Sequence, residues 1–118
     1  MAWIEKALQN PESYPKPYGR YLETKDPLAK RIIEMIDALQ EATWKTEKQR
    51  ELSEIAVEAL GRLLEEAYPE VVQKAEILAE FERRARQRAK EEGVPIAVAK
   101  GRILIEDKEL YRKLRGHA

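Results

Sequence analysis

The sequence predicts a mostly α-helical fold: a small helical bundle of about three long helices plus short terminal helices, with one C-terminal β-hairpin. Two observations carry the helices. Apolar residues recur at 3–4 spacing through residues 26–92, which lines each segment with one stripe facing a core. The breaks between stripes hold helix stop and start chemistry. A third observation carries the hairpin: after Gly93 the period changes from 3.6 to 2. The chain of 118 residues reads as a single domain, long enough to bury one core unaided.

Ala2–Gln9 reads as a short helix with Trp3, Ile4, Ala7 and Leu8 on one face. Asn10-Pro11 ends it, because the residue before proline avoids the α region. Residues 10–25 form a Pro/Tyr-rich strap, with Pro11, Pro15, Pro17, Tyr14, Tyr18, Tyr21 and Gly19, expected to be turns or extended chain. Its tyrosines either dock a partner or cover the protein's own core with their hydroxyls reaching water.

Residues 26–92 form the helical bundle. Asp26-Pro27 is a strong start, an acceptor at the N-cap followed by proline at the first helical position. Leu28, Ile32, Met35, Ile36, Leu39 and Thr43 then line one stripe. Thr46-x-x-Gln49 has the pattern of a capping box, which suggests a break near Thr43–Thr46, although one continuous rod over 27–67 fits the same periodicity. Leu52, Ile55, Ala56, Ala59, Leu60, Leu63 and Leu64 form the next stripe, closed by Tyr68-Pro69. The helix from Glu70 to Glu92 turns Val71, Val72, Ala75, Leu78 and Phe81 inward. Gly93 suits a C′ position and Pro95 blocks continuation. Residues 94–106 read as the hairpin: Ile96-Ala97-Val98-Ala99, a Lys100-Gly101 turn, then Arg102-Ile103-Leu104-Ile105. Asp107 caps a terminal helix over 107–115, with Leu110, Tyr111 and Leu114 inward. An isolated hairpin is marginal in water, so this one must pack on the bundle or on a second subunit.

Composition narrows the chemistry. There is no Cys, hence no disulfide, thiolate nucleophile or Cys-based zinc site. The one histidine, His117, stands two residues from the C-terminus, a poor place for a general base. Its isolation also excludes Glu-x-x-His di-iron bundles. Glycines are scattered, without phosphate-loop or dinucleotide spacing. No apolar run reaches the ~20 residues of a membrane span, and the N-terminus lacks a basic stretch followed by a long apolar one, so a cytoplasmic location without a secretory signal is expected. Lys, Glu and Arg are abundant and Asn and Ser rare, the pattern of thermophile proteins.

Glu47, Glu51, Glu54 and Glu58 share one helix face. Glu51-Leu52-Ser53-Glu54 resembles the short Glu-x-x-Glu element with which all-α nucleotide pyrophosphohydrolases of the MazG type hold Mg²⁺. The resemblance implies a Mg-dependent nucleotide hydrolase, but the family's downstream Glu-x-x-Asp is missing. Interleaved Lys48, Arg50 and Arg62 read instead as a solvated face.

The charge distribution points to partners. Residues 1–82 hold 11 Lys and Arg against 17 Asp and Glu, a formal −6, and residues 83–118 hold 11 against 5, a formal +6. The candidate partner-binding residues are Arg83, Arg84, Arg86, Arg88 and Lys90 on the helix and Lys100 and Arg102 at the hairpin tip. A basic helix followed by a basic-tipped hairpin resembles, over residues 94–114, the wing of excisionase-type winged-helix proteins, though no helix-turn-helix precedes it. That resemblance implies phosphate contacts on nucleic acid. The competing expectation is that the basic end meets acidic Glu41, Glu47, Glu51, Glu54, Glu58, Glu65 or Glu66 of the same chain or of a neighbouring subunit, which sets register. The sequence thus favours a non-enzymatic helical oligomerisation, adaptor or regulatory module whose partner is itself or another protein, with nucleic-acid binding second, and with no cofactor and no membrane.

Overall fold

The protein is described from a computed structural model covering residues 3–116. The described residues form six α-helices and no strand: α1 (Trp3–Gln9), α2 (Pro27–Glu41), α3 (Glu47–Ala67), α4 (Pro69–Glu92), α5 (Ile96–Glu106) and α6 (Lys108–Gly116). Two 3₁₀ turns, Pro11–Ser13 and Tyr18–Tyr21, shape the strap. Met1, Ala2, His117 and Ala118 lie outside the described residues. None of the described helices is long and apolar enough to cross a membrane.

The helix boundaries follow side-chain chemistry. The Asp26 carboxylate accepts from the backbone N–H groups of Leu28 and Ala29, each at 3.0 Å, and from the Tyr68 hydroxyl at 3.0 Å. It therefore caps α2 and ties that start to the α3–α4 junction. Thr46 and Gln49 form a reciprocal capping box, with Gln49 N–H donating to Thr46 Oγ1 at 3.1 Å. Two orphan donors are satisfied there, so residues 27–67 make two helices joined by residues 42–46. Gly93 adopts φ 64° and ψ 36°, and Val94 N–H donates to Ala89 O at 3.1 Å. Asp107 caps α6 through Leu110 N–H at 3.0 Å.

The expected β-hairpin over 94–106 is absent, and helix α5 stands in its place. Its buried residues are Ala99 and Ile103, four apart, with half-buried Lys100 and Leu104 beside them. That is one helical face, and Ile96-Ala97-Val98-Ala99 only imitated a period of two. The Lys100-Gly101 pair, read as a turn, lies mid-helix, and among the described residues only Gly93 has positive φ. A two-stranded ribbon would leave both edges unpaired. The helix satisfies its backbone internally and still buries Ala99 and Ile103.

Two apolar clusters meet along α4. The larger joins Trp3, Ile4, Tyr18, Tyr21, Ile33, Ile36, Val57, Leu64 and the first half of α4. The smaller joins Phe81 and Ala85 of α4 to Ala99, Ile103 and Leu110. Leu78 packs against both. Of the two roles open to the strap tyrosines, covering the protein's own core holds for Tyr18 and Tyr21, which are buried. Their hydroxyls do not reach out as expected: that of Tyr18 is buried without a partner among the described residues, and that of Tyr21 accepts from Lys16 N–H at 3.2 Å. The Trp3 ring lies 4.9 Å from Tyr18 and 6.1 Å from Tyr21, centroid to centroid. Gly61 permits this packing, because a Cβ there would collide with Ile4 Cδ1 and sit 3.2 Å from the Tyr18 hydroxyl.

The inward stripes of α2 and α3 are rotated from those expected, although Ile36 and Leu64 are fully buried as expected. On α3 the buried residues are Ser53, Val57, Gly61 and Leu64, while Leu52, Ile55, Ala59 and Leu63 are exposed. On α2 they are Ala29, Ile33 and Ile36, while Leu28 and Met35 are exposed. On α3 the smaller row takes the inward positions because Ile4 of α1 and Tyr18 of the strap approach closely at Gly61. On α6, Tyr111 is exposed rather than inward, with Leu110 buried.

Gly101 is the simplest probe of α5. A Cβ there meets nothing within 4 Å, so Gly101→Ala should raise stability by about 0.5–1 kcal/mol in urea unfolding, the helix-propensity gain. Gly61→Val should cost about 1–3 kcal/mol through overpacking against Ile4. A hairpin turn at Lys100-Gly101 would reverse the sign of the first result.

Candidate functional site

The seven basic residues singled out by the sequence do converge on α4 and α5, but carboxylates already occupy most of them. Arg83 pairs with Glu80 one turn earlier, its Nε donating at 3.0 Å. Arg84 reaches Asp107 at 3.0 Å, joining α4 to the start of α6. Arg88 donates to Glu92 at 2.6 Å and makes a two-pronged contact to Glu106, one arm at 2.7 Å. Arg102 of α5 returns to Glu92. Arg88, Glu92, Arg102 and Glu106 thus form a four-membered network between α4 and α5. Arg86 donates to the Tyr14 backbone carbonyl at 3.2 Å, anchoring the strap. Lys90 alone of the seven is exposed without an ion-pair partner among the described residues.

Lys100 belongs to a different contact. Its ammonium lies 3.6 Å from Glu82 Oε1 and 5.8 Å from the Phe81 ring centroid. Lys16 of the strap reaches the same oxygen at 3.3 Å. Glu82 is 7% exposed, and its other oxygen accepts no hydrogen bond from the described residues. A buried carboxylate needs counter-charge, and here it draws one lysine from each end of the chain.

The partner carboxylates are thus Glu80, Glu82, Glu92, Glu106 and Asp107, not the acids of α2 and α3 expected to complement the basic end. Glu41, Glu47 and Glu58 pair instead with Arg20, Arg50 and Arg62. The electrostatics follow. Hydrogen bonds from Arg88 and then Arg102 hold Glu92 below the ordinary carboxylate range, Arg88 does the same to Glu106, and the Leu110 N–H followed by Arg84 lowers Asp107. A phosphate at this surface would have to displace these carboxylates, so the arrangement works first as a clamp that docks α5 and α6 on α4.

Two features escaped the sequence reading. A cleft of about 510 Å³ lies between the strap and the α2–α3 loop, walled by Tyr14, Pro15, Tyr18, Leu39 and Trp44. Two of its polar groups are engaged within the chain, Gln40 Oε1 accepting from Gly19 N–H at 2.8 Å and Ser53 Oγ donating to Arg50 O at 2.7 Å, while the buried Tyr18 hydroxyl has no hydrogen-bond partner among the described residues. The second feature is the outer face of the α2–α3 hairpin. Leu28, Ile32, Met35 and Leu39 on α2, and Leu52, Ala56, Ala59 and Leu63 on α3, repeat the same four-three-four spacing. Leu28, Met35, Leu52, Ile55 and Leu63 are all more than half exposed. The signal was present in the sequence as an excess of apolar positions, more than one core-facing stripe needs. Among the described residues no three Asp, Glu or His side chains form a metal-sized cluster, and Glu51 and Glu54 instead border a shallow surface groove beside α1.

No protein-family model matches the chain, and no curated protein or solved structure matches it either.

The clamp sets an acid dependence. Glu92, Glu106 and Asp107 titrate lower folded than unfolded, so their stabilisation is present above about pH 4 and lost as pH falls through their folded values. Residue-resolved amide exchange from pH 6 to 2 should show α5 and α6 loosening first. Arg88→Met should abolish much of that acid sensitivity. For Glu82, replacing both Lys16 and Lys100 by Met leaves a buried charge unpaired and should cost about 2–4 kcal/mol in denaturant unfolding. Glu82→Gln, which removes the charge itself, should cost about 1 kcal/mol.

Proposed function

We propose that this chain is a non-catalytic helical module that associates with itself through the outer face of α2 and α3. One observation carries the reading: both helices bear a second apolar row at coiled-coil spacing, whose members Leu28 and Met35 on α2 and Leu52 and Leu63 on α3 are exposed while Ile32 and Leu39 pack at the edge of the core. A helix buried on one side needs a single stripe, and a second stripe at four-three-four spacing is what a bundle of four helices requires. Two such hairpins laid face to face make that bundle. The face is roughly 30 Å long and two helices wide, on the scale of the ~800 Å² per partner of a stable interface. Scattered exposed aliphatics are ordinary on a surface, whereas a contiguous patch of several marks an interaction site.

The basic end takes a supporting part in this reading. Its arginines hold α5 and α6 against α4, which stiffens the far side of the hairpin and leaves the outer face to the partner. A nucleic-acid role would rest on the exposed cations of the basic end that have no ion-pair partner among the described residues, Lys90, Lys108, Arg112 and Arg115.

Sedimentation equilibrium at micromolar to millimolar chain should give a mass of twice 13.7 kDa or a higher multiple. Ile55→Glu combined with Met35→Glu, both at exposed positions, should restore the monomer without loss of helical signal. A wild-type monomer across that range would sink the reading.

A further inference from the structure

From the pattern along α3 we infer the partner and its register: a second copy of this chain, packed with α3 antiparallel to α3 about a two-fold axis that crosses the helix near residue 57. This register rests on the self-association proposed above. The six residues Lys48, Leu52, Ile55, Ala59, Arg62 and Glu66 follow a four-three-four-three-four spacing, and all six are exposed. They form one continuous seam along the outermost line of α3.

The seam is complementary to itself in one direction only. Antiparallel pairing about residue 57 sets Lys48 opposite Glu66 of the partner subunit, Leu52 opposite Arg62 of the partner subunit and Ile55 opposite Ala59 of the partner subunit, and each pair occurs twice. The Leu52 side chain then packs on the aliphatic stem of an arginine whose guanidinium is held by Glu5 and Glu58 of its own chain. Opposite charges meet at both ends, and a large side chain meets a small one in the middle, as close helix packing demands. Glu51, exposed on the flank, then falls beside the partner's Arg62. Parallel pairing does the reverse. It stacks Lys48 on Lys48, Glu66 on Glu66 and Ile55 on Ile55, with like charges opposed and bulk against bulk. Neither Lys48 nor Glu66 has an ion-pair partner among the described residues, so both charges are available. The two-fold pairing is isologous, so it closes at the dimer instead of growing a filament. Leu28 and Met35 of each α2 then flank the seam, covered by the partner's hairpin.

The absence of cysteine makes the test direct. Lys48→Cys and Glu66→Cys are prepared as separate full-length proteins, mixed and oxidised gently, with sedimentation run in parallel. Disulfide dimer in the mixture, and little from either protein alone, is the expected result, since the two copies of position 48 lie roughly 27 Å apart along the axis in this register. Self-crosslinking of the Lys48→Cys protein alone would overturn the register in favour of a parallel pair. A dimer by sedimentation without mixed crosslinks would overturn the register while leaving the self-association standing. A monomer by sedimentation would overturn both. As a second measurement, Lys48→Glu should weaken the dimer roughly ten- to a hundredfold through like-charge contacts, and adding Glu66→Lys to the same chain should restore it. Failure of that restoration also counts against the register.

Discussion

A single buried carboxylate sets the relation between the two halves of this molecule. Glu82 lies where the larger apolar cluster ends and the smaller begins, and Lys16 and Lys100 both reach its Oε1. Removing a charge from water is costly unless counter-charge comes with it. The strap before α2 and the helix after α4 are therefore both drawn to the same turn of α4. Residues 66 positions and 18 positions away from Glu82 are brought within 4 Å of it by that one requirement. The Arg86 contact to the Tyr14 carbonyl and the Arg84 contact to Asp107 extend the same arrangement on either side.

The charge asymmetry of the chain takes on a different meaning in this light. A −6 half and a +6 half invite the picture of two poles that attract each other or an outside polyanion. In the folded chain the cations of α4 and α5 are met by nearby carboxylates, many on the same two helices. Short-range pairs of this kind add little energy when exposed, but several linked in one network fix the angle and register at which α5 lies on α4. Exposed apolar side chains stand along α2 and α3, at Leu28, Met35, Leu52, Ile55 and Leu63, and also on α5 and α6, at Ile96, Val98, Ile105 and Tyr111.

Much of the architecture was legible residue by residue. Asp26-Pro27, Thr46 with Gln49, Tyr68-Pro69, Gly93 and Asp107 each act locally, through an acceptor or a backbone preference that reaches only a few positions, and each stands where its chemistry indicated. Residues 94–106 were misread because Ile96-Ala97-Val98-Ala99 and Ile103-Leu104-Ile105, short apolar runs split by Lys100-Gly101-Arg102, satisfy a period of two and a helical face equally well. The deciding contact, Ala99 and Ile103 against Phe81 and Ala85, spans some twenty residues of sequence and leaves no local trace. The seven basic residues stand on α4 and α5, and the carboxylate partners of Arg84, Arg88 and Arg102 depend on α5 being a helix that folds back along α4.

The inward faces of α2 and α3 mark the boundary most clearly. Each helix carries two apolar rows, and periodicity alone identifies both without ranking them. The row with the larger side chains, Leu52, Ile55 and Leu63, was expected inside. The fold instead buries Ser53, Val57 and Gly61, because Ile4 and Tyr18 occupy the space that larger residues would need. Local sequence by itself determined where most helices start and stop, that the segments 27–41, 47–67 and 69–92 are helical, and which residue types are available for chemistry, since caps, prolines and hydrophobic period act within a turn or two. Tertiary structure alone decided which apolar row faces the core, that α5 is a helix, and which acid each arginine meets, since close packing and ion pairing depend on segments far apart in the chain.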